Sequence, residues 1–148
     1  MIRSVIFVCL GNICRSPLAD GIANKYSLDK GLNLVVDSAG TGDWHVGENP
    51  CENSIKVAHK NGVDISNLVS RQVKKTDFEK YDLVVALDDK NLSDLNALGA
   101  KNLVKLGDYG YDGADVPDPY FFNGFEGFDK VYDMIQTCVI NLIDENIK

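Results

Sequence analysis

Four short stretches of the chain are almost continuously apolar, and the first of them is rich in β-branched residues. Such runs are typical of strands that are buried on both faces of a parallel sheet. The predicted strands cover residues 4–9, 34–36, 83–87 and 103–106. The segments between them show the wider apolar spacing that a helix face requires.

Helix signals separate these predicted strands. Ser16 and Pro17 are typical of a helix N-cap and first turn, and Leu18, Ile22 and Tyr26 then recur at a spacing of four. Further helices are predicted over residues 49–62, 76–79, 89–99 and about 125–147. Because the chain shows no internal repeat, low-complexity tract or linker, residues 1–148 are expected to form a single domain.

The alternation of strands and helices predicts an α/β fold. We expect three layers, with a four-stranded parallel sheet in the flavodoxin-like order 2-1-3-4 and helices on both faces. In such a sheet, ligands bind at the carboxyl ends of the strands. The segments expected at that rim are residues 9–16, residues 38–49, the turn at Asp88 and the long stretch 107–124.

Composition narrows the range of functions. Of the 148 residues, 45% are hydrophobic and 25% are charged, which is ordinary for a soluble globular protein. The formal net charge of −7 argues against a nucleic-acid or membrane binder, because such proteins present clustered Lys and Arg. Four cysteines with no export signal are expected to be reduced thiols, which favours the cytoplasm. With two histidines and no Cys-x-x-Cys spacing, neither a metal site nor a cofactor is predicted.

The segment from Cys9 to Ser16 leaves a predicted buried strand and enters a predicted helix. Backbone N–H groups of such a loop can converge on an anion, and the same positive environment favours the thiolate form of Cys9, which is the nucleophile. The planar guanidinium of Arg15 suits two phosphate oxygens. The loop lacks the Gly-Lys-Ser/Thr ending of an ATP-binding P-loop. The alternative is that Cys9 is a small buried core thiol.

Cleavage of a phosphate ester also needs an acid, because the leaving oxygen is otherwise expelled as an anion. Asp118 is the favoured donor. It lies between Pro117 and Pro119, which stiffen the loop, and aromatic residues that could flank a substrate ring follow. The alternative is that Asp-Pro-Tyr is only a turn.

Together, these motifs resemble the low-molecular-weight protein tyrosine phosphatase family over nearly the whole chain. Residues 9–17 match the family's phosphate loop, 37–41 its second-strand signature, 44–47 its substrate loop and 118–120 its acid loop. The resemblance implies a phosphatase in which Cys9 forms a phosphocysteine and Arg15 holds the phosphoryl group. Asp118 would first protonate the leaving oxygen and later activate water.

The resemblance also implies roles for the residues around this centre. Ser16 would hydrogen-bond the thiolate, Asn12 and Ser38 would fix the phosphate loop, and Trp44 and Tyr120 would form walls around a phosphotyrosine ring. An ordinary half-buried aromatic side chain remains the alternative for Trp44. The residues expected to bind substrate are Leu10, Gly11, Asn12, Ile13, Cys14, Ser16, Trp44 and Tyr120.

The other cysteines divide into two groups. Cys14 matches the family's second loop cysteine, which can form a reversible disulfide with the nucleophile, so peroxide regulation through a Cys9–Cys14 disulfide is a hypothesis. Cys51 and Cys138 are assigned to structure. At Cys51-Glu52-Asn53 the chain departs from many relatives, which carry Asp-Pro-Arg, and the start of the second helix therefore stays open.

The expected partners are tyrosine-phosphorylated proteins or peptides and phosphate or sulfate anions, bound by a monomer or weak dimer. Three alternatives remain. Bacterial arginine phosphatases of this fold usually carry Thr where this chain has Ile13, and a bulky apolar residue favours phosphotyrosine. Arsenate reductases use further cysteines beyond the third strand, and residues 82–107 contain none. A non-catalytic phosphate-binding protein would use Cys9 only as a redox sensor.

Overall fold

The apolar stretches form the four strands of one parallel sheet. In this computed structural model, residues 2–121 and 124–147 are described. The strands are β1 (Ser4–Cys9), β2 (Val35–Gly40), β3 (Leu83–Ala86) and β4 (Leu103–Lys105). They are ordered β2-β1-β3-β4, and each neighbouring pair is parallel. The predicted α/β fold and the order 2-1-3-4 are confirmed.

Helices connect these strands throughout. The α-helices in the described ranges are α1 (Arg15–Asp29), α2 (Glu52–Lys60), α3 (Asp77–Lys80), α4 (Asp89–Ala97) and α5 (Glu126–Asn146). Two short 3-10 helices, Leu106–Tyr109 and Pro119–Phe121, give partial order to the long segment that follows β4. Among residues 2–121 and 124–147, no helix has the length and apolar character needed to cross a membrane.

The sheet separates two apolar cores and so produces the predicted three layers. Val5 and Phe7 of β1 belong to the core that the sheet shares with α1, α2 and α5. Ile6 and Val8 face the opposite side and belong to the core shared with α3 and α4. All four side chains are fully buried, as expected for a central strand covered on both faces.

Two helix starts differ from the sequence prediction. Helix α1 is preceded by Cys14 as its N-cap, and the predicted cap residue Ser16 instead lies inside the first turn with its hydroxyl bonded to Cys9 and Asn12. Helix α2 is preceded by Cys51 rather than Asn49. The Asn49 side chain is engaged elsewhere, because its amide nitrogen donates to the carbonyl of residue 68 at 2.8 Å.

Candidate active site

The loop between β1 and α1 is held by its carbonyl groups. Five of these carbonyls accept hydrogen bonds from segments outside the loop: Cys9 from Thr41 N (2.9 Å), Leu10 from Gly42 N (2.9 Å), Gly11 from Ser70 Oγ (2.9 Å), Ile13 from Cys51 N (2.8 Å) and Cys14 from Ser54 Oγ (3.1 Å). In a trans peptide the C=O and the next N–H point in opposite directions. Carbonyls anchored on the outside therefore leave the N–H groups of the loop directed inward, as a cradle for an anion.

Asn12 gives the loop its sharp bend. Its φ of +57° lies in the left-handed region, which Asn tolerates better than most residues. The side chain is buried and holds two neighbours: Nδ2 donates to Ser16 Oγ at 2.8 Å, and Oδ1 accepts from the backbone N–H of Arg71 at 3.1 Å. Asn12 thus fixes the loop from inside rather than lining the pocket.

Cys9 places its sulfur at the centre of this loop. Sγ accepts a hydrogen bond from the backbone N–H of Asn12 at 3.3 Å and lies 3.0 Å from Ser16 Oγ. Because Ser16 Oγ already accepts from the Asn12 side chain, its own proton is free to point at the sulfur.

Arg15 lines the same pocket and is held in place by the N-cap residue of α4 and by the backbone before the acid loop. Its Nη1 donates to Asp88 Oδ2 at 2.7 Å and to the carbonyl of Val116 at 3.0 Å. Burial opposes the charge, but the Cys9 sulfur and the Asp88 carboxylate outweigh it and raise the pKa of Arg15. The guanidinium is thus a fixed cation beside the sulfur.

Asp118 enters the same pocket from the loop before the second 3-10 helix. Its Oδ1 accepts from the backbone N–H of Tyr120 at 2.9 Å, so the residue forms the turn suggested by the sequence and also lines the pocket. The Tyr120 ring packs edge-on against Phe128, with ring centroids 5.2 Å apart. Helix α5 therefore supports this wall.

The pocket is a cavity of about 300 Å³, at the small end of the range for ligand sites. The residues that line it are Cys9, Leu10, Gly11, Ile13, Cys14, Arg15, Trp44, His45, Asp118 and Tyr120. Trp44 is 70% exposed, so it is not the half-buried aromatic residue of the alternative prediction. His45, for which the sequence suggested no role, also lines the cavity, with Nδ1 2.9 Å from Glu48 Oε2.

Three of the predicted site residues do not line the pocket. Asn12 and Ser16 are behind the sulfur, as described above. Ser38 is one layer further away, because its hydroxyl donates to Asp20 Oδ2 on α1 at 2.9 Å. Ser38 therefore reaches the loop through helix α1, and among the described contacts it makes no direct hydrogen bond to residues 9–15.

The segment 70–71 supports the loop and was not recognised in the sequence. Ser70 donates to the Gly11 carbonyl, and the Arg71 N–H holds Asn12. The Arg71 guanidinium binds the carboxylates of Asp37 at 2.9 Å and Asp77 at 2.9 Å. These ion pairs join segment 70–71 to β2 and α3. A polar Ser-Arg pair gives no local sign of such a role in the sequence.

The structure brings Cys14 and Cys51 together at the edge of the site. Cys14 Sγ donates a hydrogen bond to Cys51 Sγ at 2.7 Å, and both side chains are only half-buried. Cys138 is fully buried in the core, in keeping with a structural assignment. In the described ranges, no cluster of three or more His, Cys, Asp or Glu side chains could hold a metal ion.

Comparisons with known proteins give the relatives of the chain. The family model for "Low molecular weight phosphotyrosine protein phosphatase" matches residues 4–148. The low molecular weight protein-tyrosine-phosphatase YfkJ of Bacillus subtilis is 40% identical over 142 residues, which cover 90% of this chain and 89% of that protein.

Two solved structures are similarly close. A protein tyrosine phosphatase from Entamoeba histolytica, crystallised with Hepes in its active site, superposes with a TM-score of 0.90 at 32% identity, covering 97% of this chain and 96% of its own. A Drosophila arginine phosphatase superposes with a TM-score of 0.89 at 28% identity, covering 100% and 99%.

Proposed function

The chain belongs to the low molecular weight phosphotyrosine protein phosphatase family, which confirms the resemblance of its motifs, and we propose that it hydrolyses phosphotyrosine through a phosphocysteine on Cys9. The observation that carries this mechanism is the anchored loop. Five of its carbonyls are held from outside, and Sγ of Cys9 lies where the inward N–H groups would bind a phosphoryl group.

In the first step the Cys9 thiolate attacks phosphorus, the S–P bond forms and the P–O bond to the substrate breaks. Asp118 donates its proton to the leaving phenolate oxygen. Arg15 binds two of the phosphoryl oxygens and stabilises the charge that spreads over them in the transition state. Ser16 holds the thiolate before the attack and is 3.0 Å from the sulfur.

In the second step water attacks phosphorus and Asp118, now a carboxylate, removes its proton. The S–P bond breaks, inorganic phosphate leaves and the Cys9 thiolate is restored. Arg15 and the loop N–H groups bind the phosphoryl group throughout, so they contribute to both steps without exchanging protons.

The substrate class follows from the walls of the pocket. Trp44 and Tyr120 offer exposed aromatic faces on which a phenyl ring can pack, and Ile13 adds an apolar side chain between the loop and the rim. We therefore propose tyrosine-phosphorylated proteins or peptides as substrates. The similarity to a Drosophila arginine phosphatase keeps phosphoarginine as the second candidate.

The test compares a phosphotyrosine peptide, a phosphoarginine peptide and an aryl phosphate with a very good leaving group. We expect kcat/KM to be highest for the phosphotyrosine peptide. Asp118→Asn should slow it by ~100- to ~10,000-fold and should slow the activated aryl phosphate much less, because a good leaving group needs no proton. Equal losses on both aryl substrates would contradict the acid role, and faster phosphoarginine turnover would favour the second candidate.

Matched variants distinguish a loss of catalysis from a loss of folding. Asp115→Asn removes an exposed acid of the same loop, whose carboxylate binds Lys105 at 2.7 Å outside the pocket, and should leave kcat unchanged. Cys9→Ser should abolish turnover but retain sulfate binding, because the cradle is made of backbone. If Cys9→Ser still turns over substrate after repeated purification, another nucleophile is responsible.

A further inference from the structure

We propose that Cys14 and Cys51 form a second oxidation site, a dithiol at the edge of the pocket that peroxide converts to an intramolecular disulfide. The two sulfurs are already 2.7 Å apart. A disulfide bond is about 2.05 Å long, so closure requires an approach of roughly 0.7 Å.

The backbones that carry these sulfurs are tied together at two points. The N–H of Cys51 donates to the carbonyl of Ile13 at 2.8 Å, next to Cys14 in the chain. The hydroxyl of Ser54, in the first turn of α2, donates to the carbonyl of Cys14 at 3.1 Å. Because both partners are held before the reaction, little chain entropy is lost when the sulfurs bond.

The surroundings of the two sulfurs make their thiols differ in acidity. Cys51 is the N-cap residue of α2, where the helix dipole favours a negative charge, and it lies 3.0 Å from Ser54 Oγ. The hydrogen bond from Cys14 lowers the pKa of Cys51, although burial acts against this shift. The same hydrogen bond, together with burial, raises the pKa of Cys14. Cys51 is thus the more acidic of the two thiols and the one from which a thiolate forms more readily.

The reaction balances with hydrogen peroxide as the oxidant. The Cys51 thiolate attacks one peroxide oxygen, the O–O bond breaks, and after protonation a Cys51 sulfenic acid and one water are formed. Cys14 then attacks the sulfenic sulfur, the S–O bond breaks, and the oxygen leaves as a second water that takes up the thiol proton. Two thiols are oxidised and one peroxide is reduced.

Cys14 can pair with either Cys51 or Cys9 but not with both, because one sulfur can belong to only one disulfide. Cys9 is held by Asn12 and Ser16, whereas the Cys14 thiol already donates to Cys51. We therefore expect Cys14 to be recovered with Cys51 in mildly oxidised wild-type protein.

The first experiment uses Cys9→Ser/Cys138→Ala, which retains only the two proposed partners and requires no enzymatic turnover. After treatment with limiting hydrogen peroxide, we expect both free thiols to be lost, the intact mass to fall by two hydrogen atoms, and dithiothreitol to reverse the change. Retained thiols, added oxygen atoms or a disulfide-linked dimer would each overturn the proposal. Circular dichroism and the Tm before treatment establish that the variant is folded.

The second experiment maps the bond in the wild-type protein. Tryptic cleavage after Arg3, Arg15, Lys30 and Lys56 leaves Cys9 and Cys14 in one peptide and Cys51 in another. A Cys14–Cys51 disulfide therefore joins two peptides. Recovery of Cys14 only with Cys9, inside one peptide, would refute the proposal. The matched control is Cys9→Ser/Cys51→Ala, which should form no intramolecular disulfide.

Discussion

Asp20 carries a buried carboxyl group between α1 and β2, and replacing it with asparagine should change the pH dependence of stability. The residue is 3% exposed, and its carboxylate accepts from Ser38 Oγ at 2.9 Å and from Asn24 Nδ2 at 2.7 Å. Burial raises the pKa of Asp20 to about 6, and the nearby Asp37 carboxylate adds to the rise, although the two hydrogen bonds act against it. The folded protein therefore holds this proton more tightly than the unfolded chain.

The magnitude follows from the pKa of about 6 and the ordinary value of 3.8. At about 1.4 kcal/mol for each pKa unit, the difference corresponds to ~3 kcal/mol. Because the folded pKa is raised, this stabilisation is fully present below the unfolded pKa and is lost as the pH rises through about 6. The free energy of unfolding of the wild type should therefore fall by up to ~3 kcal/mol relative to Asp20→Asn between about pH 3 and pH 7.5.

The assay is urea unfolding of both proteins at intervals across that pH range. Asparagine alters the hydrogen bonds to Ser38 and Asn24, which changes the free energy of unfolding by about 1 kcal/mol at every pH. The test is therefore how the difference in free energy between the two proteins changes with pH, and not its size at any one pH. Asp29→Asn removes an exposed acid from the end of the same helix and serves as the control. A difference between wild type and Asp20→Asn that is constant, or that grows in favour of the wild type as the pH rises, would refute the reasoning.

Two further substitutions test how the site is held. A Cβ atom at Gly40 would lie 2.6 Å from the Leu10 carbonyl oxygen, so Gly40→Ala should cost about 1–3 kcal/mol of stability and weaken competitive inhibition by phosphate, measured by Tm and Ki. Asp88→Asn retains the α4 cap to Asn91 but removes the charge that orients Arg15, so we expect kcat/KM to fall roughly tenfold with little change in Tm. Asp88→Ala should lower Tm as well, and equal Tm losses for the two variants would contradict the positioning role.

The sequence predicted the features that depend on neighbouring residues. Strand β1 matches its predicted bounds. Its uninterrupted apolar run ends at the first residue of the loop and is typical of a buried strand. The phosphate loop could be predicted for the same reason, because the residues that form its bend at Asn12 and begin the following helix all lie within positions 9–16. Cys9, Arg15 and Asp118 were chosen by residue type and position, and the pocket contains all three.

The features that the sequence did not reveal depend on contacts between distant segments. Cys51 was assigned to structure because no local pattern links it to Cys14, which is 37 residues away. The role of Ser70 in holding Gly11 is equally non-local, because the two residues are 59 positions apart in the chain. The fold places these residues beside the loop because β2, α2 and segment 70–71 all surround the carboxyl end of β1.

The anion binding that we propose for this acidic protein depends on the shape of the loop more than on the net charge of the chain. Arg15 is already paired with Asp88, so the pocket holds little uncompensated positive charge for a phosphate dianion. Inward N–H groups supply the remaining attraction, and they point inward only because the opposite carbonyls are anchored. Affinity for phosphate should therefore depend on the anchoring segments, which never touch the ligand, as strongly as on the residues of the loop itself.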